Sequence, residues 1–328
     1  MSKKTDKPEV QTEDVRKWAA DIVSAAKSTI NDVVENIKES TDGFEKKHLA
    51  AKREKDLLLL RPVFQEMLLS PSPSHTSNIA NRFSMPSIIH VVEKDKKHAE
   101  SKACEHSIGH VSVENGIPVL NVYPHHMNDL DIVFSPNAEK EIYYVDPCQK
   151  NHYIDIQDYF RQLKIARVNE LEQLAYSLGA THVEIIFKTN TVELERAKKK
   201  AELGVKKGKK KLLDVKAEHS ENEVKKESIE VERRLDLSGH DDPHVPDLIY
   251  FKDDADIQNL IFMRMDKRSV LKSKECKIKY SNSSGIKASD AIKIQGALDK
   301  MGGGSAGVSI LNETLNENCT TLIYRIDF

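Results

Sequence analysis

Two stretches of this chain repeat each other 91 residues apart. KKESIEVERRLDL ends at Leu237, and NENCTTLIYRIDF ends at Phe328. Both finish on Arg, an aliphatic residue, Asp and a large apolar residue, and their alternating apolar positions coincide at this offset. The same offset overlays the apolar positions of HVEIIFKT on those of KECKIKYS. A recurrence of this length, too long for a solenoid repeat, predicts a duplicated domain.

The predicted duplication extends upstream of these strands. IYYVDPCQKNHYIDIQDYFRQL, at 142–163, resembles LIYFKDDADIQNLIFMR, at 248–264, because each has an aromatic strand, a polar loop and Asp-Ile-Gln opening a helix. Alternating apolar residues predict further strands near 213–217 and 308–310. We therefore expect an α+β fold, in which a helical N-terminal segment precedes a β-rich domain of two related β-α-β-α-β-β units, 141–237 and 247–328. Two similar units would form a ligand groove between them.

The first 69 residues are predicted to be helical. One helix spans 12–39, with Thr12 suited to cap its start and Asp42-Gly43 to end it. Its apolar stripe, with residues at spacings of three and four, consists of Val15, Trp18, Ile22, Ala26, Ile30, Val33 and Ile37. A second helix is predicted from Phe44 to Leu69.

Helix 12–39 is the predicted interaction element of the chain. We expect its stripe to dock on a protein partner or on another copy, with Trp18 and Ile22 as anchors. Packing on the chain's own second domain is the alternative. Membrane contact is disfavoured, because six acidic residues outnumber four basic ones in this helix.

A linker and a hairpin divide the rest of the chain. SPSPSHTSN, at 70–78, opposes helix and strand alike, so 70–105 is predicted as a linker, with the order of 79–105 left open. Asn115-Gly116 between alternating apolar runs predicts a β-hairpin, and Pro118 suggests that its second strand lies at an edge or begins late. The predicted segments are the helical 1–69, the linker 70–105, the hairpin and first unit at 106–240, and the second unit at 241–328.

Composition and motifs exclude several function classes. Lys+Arg 50 nearly cancel Asp+Glu 52, so no overall field draws the chain to nucleic acid or to an anionic membrane. The longest aliphatic run, Leu57 to Leu60, is far too short for a transmembrane span. Phosphate-loop, dinucleotide and serine-hydrolase motifs do not occur, and no cofactor is expected. The four cysteines have no CxxC spacing and the chain begins without an apolar signal region, so we expect a cytoplasmic protein.

Two groups of residues contain side chains that bind divalent metals. The segment GHDDPHVPD holds His240, Asp241, Asp242, His244 and Asp247. Pro243 prevents a regular helix from stacking its histidines, and a polar connector is the favoured interpretation. The second group consists of Cys104, His106, His110, His125 and His126. It lacks the spacing of a structural zinc site, and His110 fits the polar face of its strand. We therefore predict no metal site.

Two further patterns are typical of proteins that act on nucleic acid. Pro246-Asp247 with Glu275-Cys276-Lys277 resembles the PD-(D/E)xK pattern of metal-dependent nucleases, but an apolar run and a predicted helix lie between its two parts. The stretch from Arg196 to Lys211 contains nine basic residues, which would contact phosphates in a salt-dependent way. No aromatic residue interrupts it for base stacking, so a solvated helix and loop is favoured.

The predicted function is non-catalytic. We expect a binding or assembly protein that engages a partner or itself through helix 12–39, and we assign no catalytic residue. The alternative is a metal-dependent hydrolase or nuclease that uses Asp241, Asp247 and Glu275 as metal ligands.

Overall fold

The structure is a computed structural model that describes residues 43–68, 84–207, 227–268, 271–302 and 309–328. The predicted helix 12–39 and the predicted strand at 213–217 lie outside these residues. Helices alternate with two separate sheets, so the predicted α+β class is confirmed. The chain divides into two compact units. Unit 1 comprises Met1–Val145, Lys150–Gln157 and Gly296–Gly307, and unit 2 comprises Asp146–Gln149, Asp158–Gln295 and Val308–Phe328.

Unit 1 is built on a seven-stranded mixed sheet with the strand order β1-β3-β4-β2-β6-β7-β5. The strands are β1 (Pro62–Val63), β2 (Ile88–Val91), β3 (Gly109–Glu114), β4 (Ile117–Val122), β5 (Val133–Ser135), β6 (Ile142–Val145) and β7 (His152–Asp155). The helices are α1 (Gly43–Leu60), α2 (Gln65–Leu68) and α3 (Lys96–Glu100), with 3-10 helices at Lys102–Cys104 and Pro124–Asp129. Its core gathers Val63, Ile89, Val111, Leu120, Tyr143 and Tyr153.

The predicted hairpin is confirmed. Strands β3 and β4 pair antiparallel around Asn115 and Gly116, whose φ angles are 50° and 79°. Both residues tolerate this left-handed conformation, which a two-residue hairpin turn requires. An edge position for β4 is wrong, because β4 lies between β3 and β2. Pro118 is accommodated because β2 begins to pair with β4 only at Val119, one residue further on.

The helix predicted before the hairpin is too long, and the order of 79–105, which the sequence left open, is resolved from residue 84 onward. The helix expected from Phe44 to Leu69 ends at Leu60, since Arg61 has a φ of 45° and Pro62–Val63 then pairs with β3. The predicted linker 70–105 includes β2, an internal strand of the sheet in which Ile88 and Ile89 are fully buried. A strand buried on both faces lacks apolar-polar alternation, which is why its sequence gave no clear signal.

Unit 2 is built on a four-stranded antiparallel sheet with the strand order β10-β11-β8-β9. The strands are β8 (His182–Asn190), β9 (Glu227–Asp236), β10 (Ser273–Lys279) and β11 (Thr320–Asp327). The helices are α4 (Tyr159–Ser177), α5 (Thr191–Lys207), α6 (Ala255–Met265), α7 (Ala288–Lys300), which starts in this unit, and α8 (Ile310–Asn318). Apolar residues of α4 and α6 form the core with one face of the sheet, where Ile185, Phe187 and Tyr324 are fully buried.

The predicted duplication is not confirmed. The strands proposed as equivalents, β8 with β10 and β9 with β11, do share one sheet. However, Leu248–Phe251 forms no strand, and the strand expected near 308–310 is replaced by α8, which begins at Ile310. The second copy therefore lacks the predicted β-α-β-α-β-β order, and in the first copy the strand predicted at 213–217 lies outside the described residues. The predicted segments do not coincide with the two compact units, and their boundaries stay predictions.

Candidate functional site

The two histidines of GHDDPHVPD bind this segment to the C-terminal end of helix α4. The Nε2 atom of His240 lies 2.7 Å from the Tyr176 carbonyl oxygen, and the backbone N–H of His244 donates to the Ser177 carbonyl at 2.9 Å. The two imidazole rings stack with their centroids 6.3 Å apart. Among the residues that the structure describes, no group of three or more His, Cys, Asp or Glu side chains is placed to hold a metal ion.

The second predicted group is only partly brought together, around a histidine that the sequence analysis missed. His110 stacks on His98 with ring centroids 4.0 Å apart. In turn, Nδ1 of His98 lies 2.8 Å from the Asp95 carboxylate and Nε2 lies 3.2 Å from the Leu60 carbonyl. Burial, reinforced by His98, lowers the pKa of His110 to about 4. Cys104 is buried, whereas His106 and His125 are exposed, and His126 pairs with Asp129.

The glutamate of the nuclease-like pattern belongs to a row of ion pairs. Glu275, Arg325, Glu184 and Arg234 stand side by side on β10, β11, β8 and β9. The Arg325 guanidinium donates to Glu275 at 2.6 Å and to Glu184 at 2.5 Å, and Arg234 donates to Glu184 at 2.9 Å. The hydrogen bond from Arg325 holds the pKa of both carboxyls below the usual range.

Lys277, the lysine of that pattern, binds the same Glu275 carboxylate at 3.1 Å. Glu275 and Lys277 of the nuclease-like pattern therefore both form ion pairs on the sheet. The basic stretch begins on α5, where Arg196, Lys199 and Lys200 are exposed, and its residues beyond Lys207 lie outside the described part of the chain.

Buried polar side chains on α4 position the segment that leads to α6. The Glu170 carboxylate accepts hydrogen bonds from the backbone N–H groups of Ile249, Tyr250 and Phe251, at 2.9 to 3.1 Å. The Arg167 guanidinium lies over the Tyr250 ring, 4.9 Å from its centroid, and donates to the Ser283 carbonyl at 2.5 Å. These contacts explain why Leu248–Phe251 forms no strand, since a carboxylate takes the N–H groups that a neighbouring strand would use.

The candidate site is a set of exposed apolar side chains near the C-terminal ends of α4 and α6. It consists of Tyr176, Phe262, Met263 and Met265, and it is called the α4–α6 surface below. Tyr176 and Phe262 are 64% and 68% exposed. The Arg264 guanidinium joins the two helix ends, since its Nε donates to the Leu178 carbonyl at 2.9 Å. Exposed aromatic and methionine side chains on neighbouring helices are typical of a protein-binding surface.

Helical periodicity accounts for this surface. Ile257, Leu260 and Ile261 of α6 are buried on one face. Because each residue turns a helix by about 100°, Phe262, Met263 and Met265 fall outside the buried stripe. Basic residues lie next to these apolar ones. Lys267 and Arg268 come shortly after Met265 in the chain, and the Nζ atom of Lys274 lies 3.9 Å from the Met263 sulfur. The sequence does contain a signal for this surface, because α6 has more apolar residues than one buried helical face can hold.

No protein-family model, curated protein or solved structure matches this chain. None of the helices in the described ranges combines the length and apolar character that crossing a bilayer requires.

Proposed function

We propose that this chain is a non-catalytic assembly protein that binds another copy of itself. The α4–α6 surface carries the proposal, because it exposes two aromatic rings and two methionines whose burial in an interface would be favourable. A different protein partner is the alternative. We commit to a second copy because the chain itself supplies an apolar stripe at 12–39 that needs a counterpart.

One carboxylate of the enzyme alternative, Glu275, is already engaged in ion pairs. Glu275 is paired with Arg325 and Lys277, and the histidines near Asp241 and Asp247 contact the end of α4. All four cysteines are free thiols. Free thiols support a reducing compartment, so a cytoplasmic location is part of the proposal.

Light scattering coupled to size exclusion tests the proposal on the full chain, loaded at about 1 to 100 µM. We expect the wild type to exceed the 37.1 kDa monomer mass and Phe262→Glu to elute near it. A charge at this position makes burial of the surface in an interface unfavourable. Leu59→Glu is the matched control, since Leu59 in unit 1 is also 68% exposed. A monomeric wild type, or a Phe262→Glu variant with the wild-type mass, would overturn the proposal.

A further inference from the structure

We propose that assembly is head-to-tail, with helix 12–39 of one copy docked on the α4–α6 surface of the next. The inference rests on the proposed function and names the two surfaces that meet. One is the predicted stripe anchored by Trp18 and Ile22, and the other is exposed on unit 2. An amphipathic helix that lays its apolar face on an exposed apolar surface is a common recognition mode.

The position and length of the segment suit this role. Forty-two residues precede α1, which begins at Gly43. A helix over 12–39 would be about 42 Å long, compared with about 16 Å for α6, at 1.5 Å per residue. The half that contains Trp18 and Ile22 is therefore sufficient to cover the α4–α6 surface.

Charge on the two surfaces is complementary. Residues 263–274, which include the C-terminal end of α6, contain five basic side chains and one acidic side chain. Lys267 and Lys274 border the apolar residues, and Arg268 forms an ion pair with Asp266. This end of unit 2 therefore favours a segment with negative charge along its apolar face.

The predicted helix has such an acidic border. Asp14, Asp21, Asp32 and Glu39 follow one another at spacings of 7, 11 and 7 residues. At about 100° per residue, these spacings return to within about 20° of one line along the helix. The line runs along one side of the apolar stripe. The segment thus carries acidic residues beside its apolar stripe, and the surface has basic residues beside its apolar side chains.

A head-to-tail contact has a consequence for the size of the assembly. The donor segment and the acceptor surface are different parts of the chain, so an open assembly of any size still offers one free donor at one end and one free acceptor at the other. Such a contact closes into a ring or continues as a filament. The wild-type mass is therefore expected to exceed that of a dimer as concentration rises.

Complementation between two inactive variants tests the inference on the full chain. Trp18→Glu removes the donor, and Phe262→Glu removes the acceptor. We expect each variant alone to be monomeric by light scattering. An equimolar mixture should form a species of twice 37.1 kDa and no larger, because the intact segment of one variant binds the intact surface of the other.

Two controls preserve the interface. Ser24→Glu places the same charge on the face of the predicted helix opposite the stripe, and Leu59→Glu does so in unit 1; both should keep the wild-type mass. Circular dichroism verifies that each variant is folded. Met265→Glu is the second acceptor variant, for use if Phe262→Glu does not fold.

The possible failures are distinguishable. If Phe262→Glu still assembles while Trp18→Glu does not, the segments bind each other, and both the inference and the function proposed for the α4–α6 surface fall. If only Phe262→Glu becomes monomeric, two α4–α6 surfaces meet, so the inference falls while the proposed function stands. Two monomeric variants whose mixture stays monomeric also overturn the inference. A wild type that is monomeric at every concentration overturns both the inference and the proposed function.

Discussion

At the scale of single residues, buried polar side chains fix the backbone at positions that the sequence patterns do not reveal. Glu170 binds three consecutive N–H groups that lie 79 to 81 residues further along the chain. His98 connects Asp95 with the end of α1 and carries the ring of His110. The sequence assigned His110 correctly to a strand, but its partner belongs to a short helix that no periodic pattern predicts.

Burial of His110, reinforced by the neighbouring His98, predicts a specific loss of stability in mild acid. Folded His110 takes up a proton near pH 4, whereas the unfolded residue does so near the ordinary pKa of 6.5. The unfolded chain therefore binds protons first, and the free energy of unfolding falls as the pH drops from 6.5 to 4. At pH 5 this loss amounts to about 2 kcal/mol.

Urea unfolding at pH 7.5 and pH 5 measures this loss. His110→Phe keeps a ring against His98 and should lose about 2 kcal/mol less than the wild type between these pH values. The neighbouring His98, Asp95 and His90 are unchanged in the variant. His106→Phe, at an exposed position, should retain the wild-type pH dependence. Equal losses in the wild type and His110→Phe would show that buried His110 does not cause the loss of stability in acid.

At the scale of elements, sequence patterns predict those structures that are determined by residues adjacent in the chain. The β3–β4 hairpin could be predicted because its turn residues and its alternating strands are adjacent in the chain. Leu248–Phe251 was predicted as a strand on equally apolar residues, but Glu170 determines its conformation from a distant helix. The α4–α6 surface could be predicted only in part. The excess apolar residues of α6 are visible in the sequence, whereas their exposure depends on how the helix packs.

The hairpin turn gives a prediction at this scale. Gly116 has a φ of 79°, and a Cβ atom added there would meet nothing within 4 Å. Gly116→Ala should therefore lower the free energy of unfolding by about 1 kcal/mol through backbone conformation alone.

Gly116→Asn is the matched comparison. Asn tolerates the left-handed region better than Ala does, so this variant should lose less stability. Urea unfolding at neutral pH measures both variants. If Gly116→Asn cost more than Gly116→Ala, steric contact rather than backbone conformation would be the cause.

At the scale of the whole molecule, the chain divides in a way that local patterns cannot show. The short segment Asp146–Gln149 belongs to unit 2, although unit 1 residues precede and follow it. Residues 57–64, predicted as part of a helical arm, contribute Leu57, Val63 and Phe64 to the buried interior. Sequence reasoning placed a boundary after residue 69 because the proline-rich stretch begins there, yet β1 lies before it and pairs with β3 after it.

Two truncations test this organisation. A chain that starts at Gly43 should keep the wild-type thermal unfolding midpoint by circular dichroism, and under the head-to-tail inference it should be monomeric. A chain that starts at Ser77 loses β1 together with Leu57, Val63 and Phe64, and its midpoint should fall by more than 10 °C, since each buried apolar side chain contributes about 2 kcal/mol. Equal midpoints for the two truncations would show that 43–68 is dispensable for unit 1.

The interleaved path of the chain has a consequence for inheritance. The backbone passes between the units after residues 145, 149, 157, 295 and 307. No single recombination breakpoint can therefore transplant either unit intact into another gene. The two units are therefore expected to be inherited together, and relatives that carry only one of them should be rare.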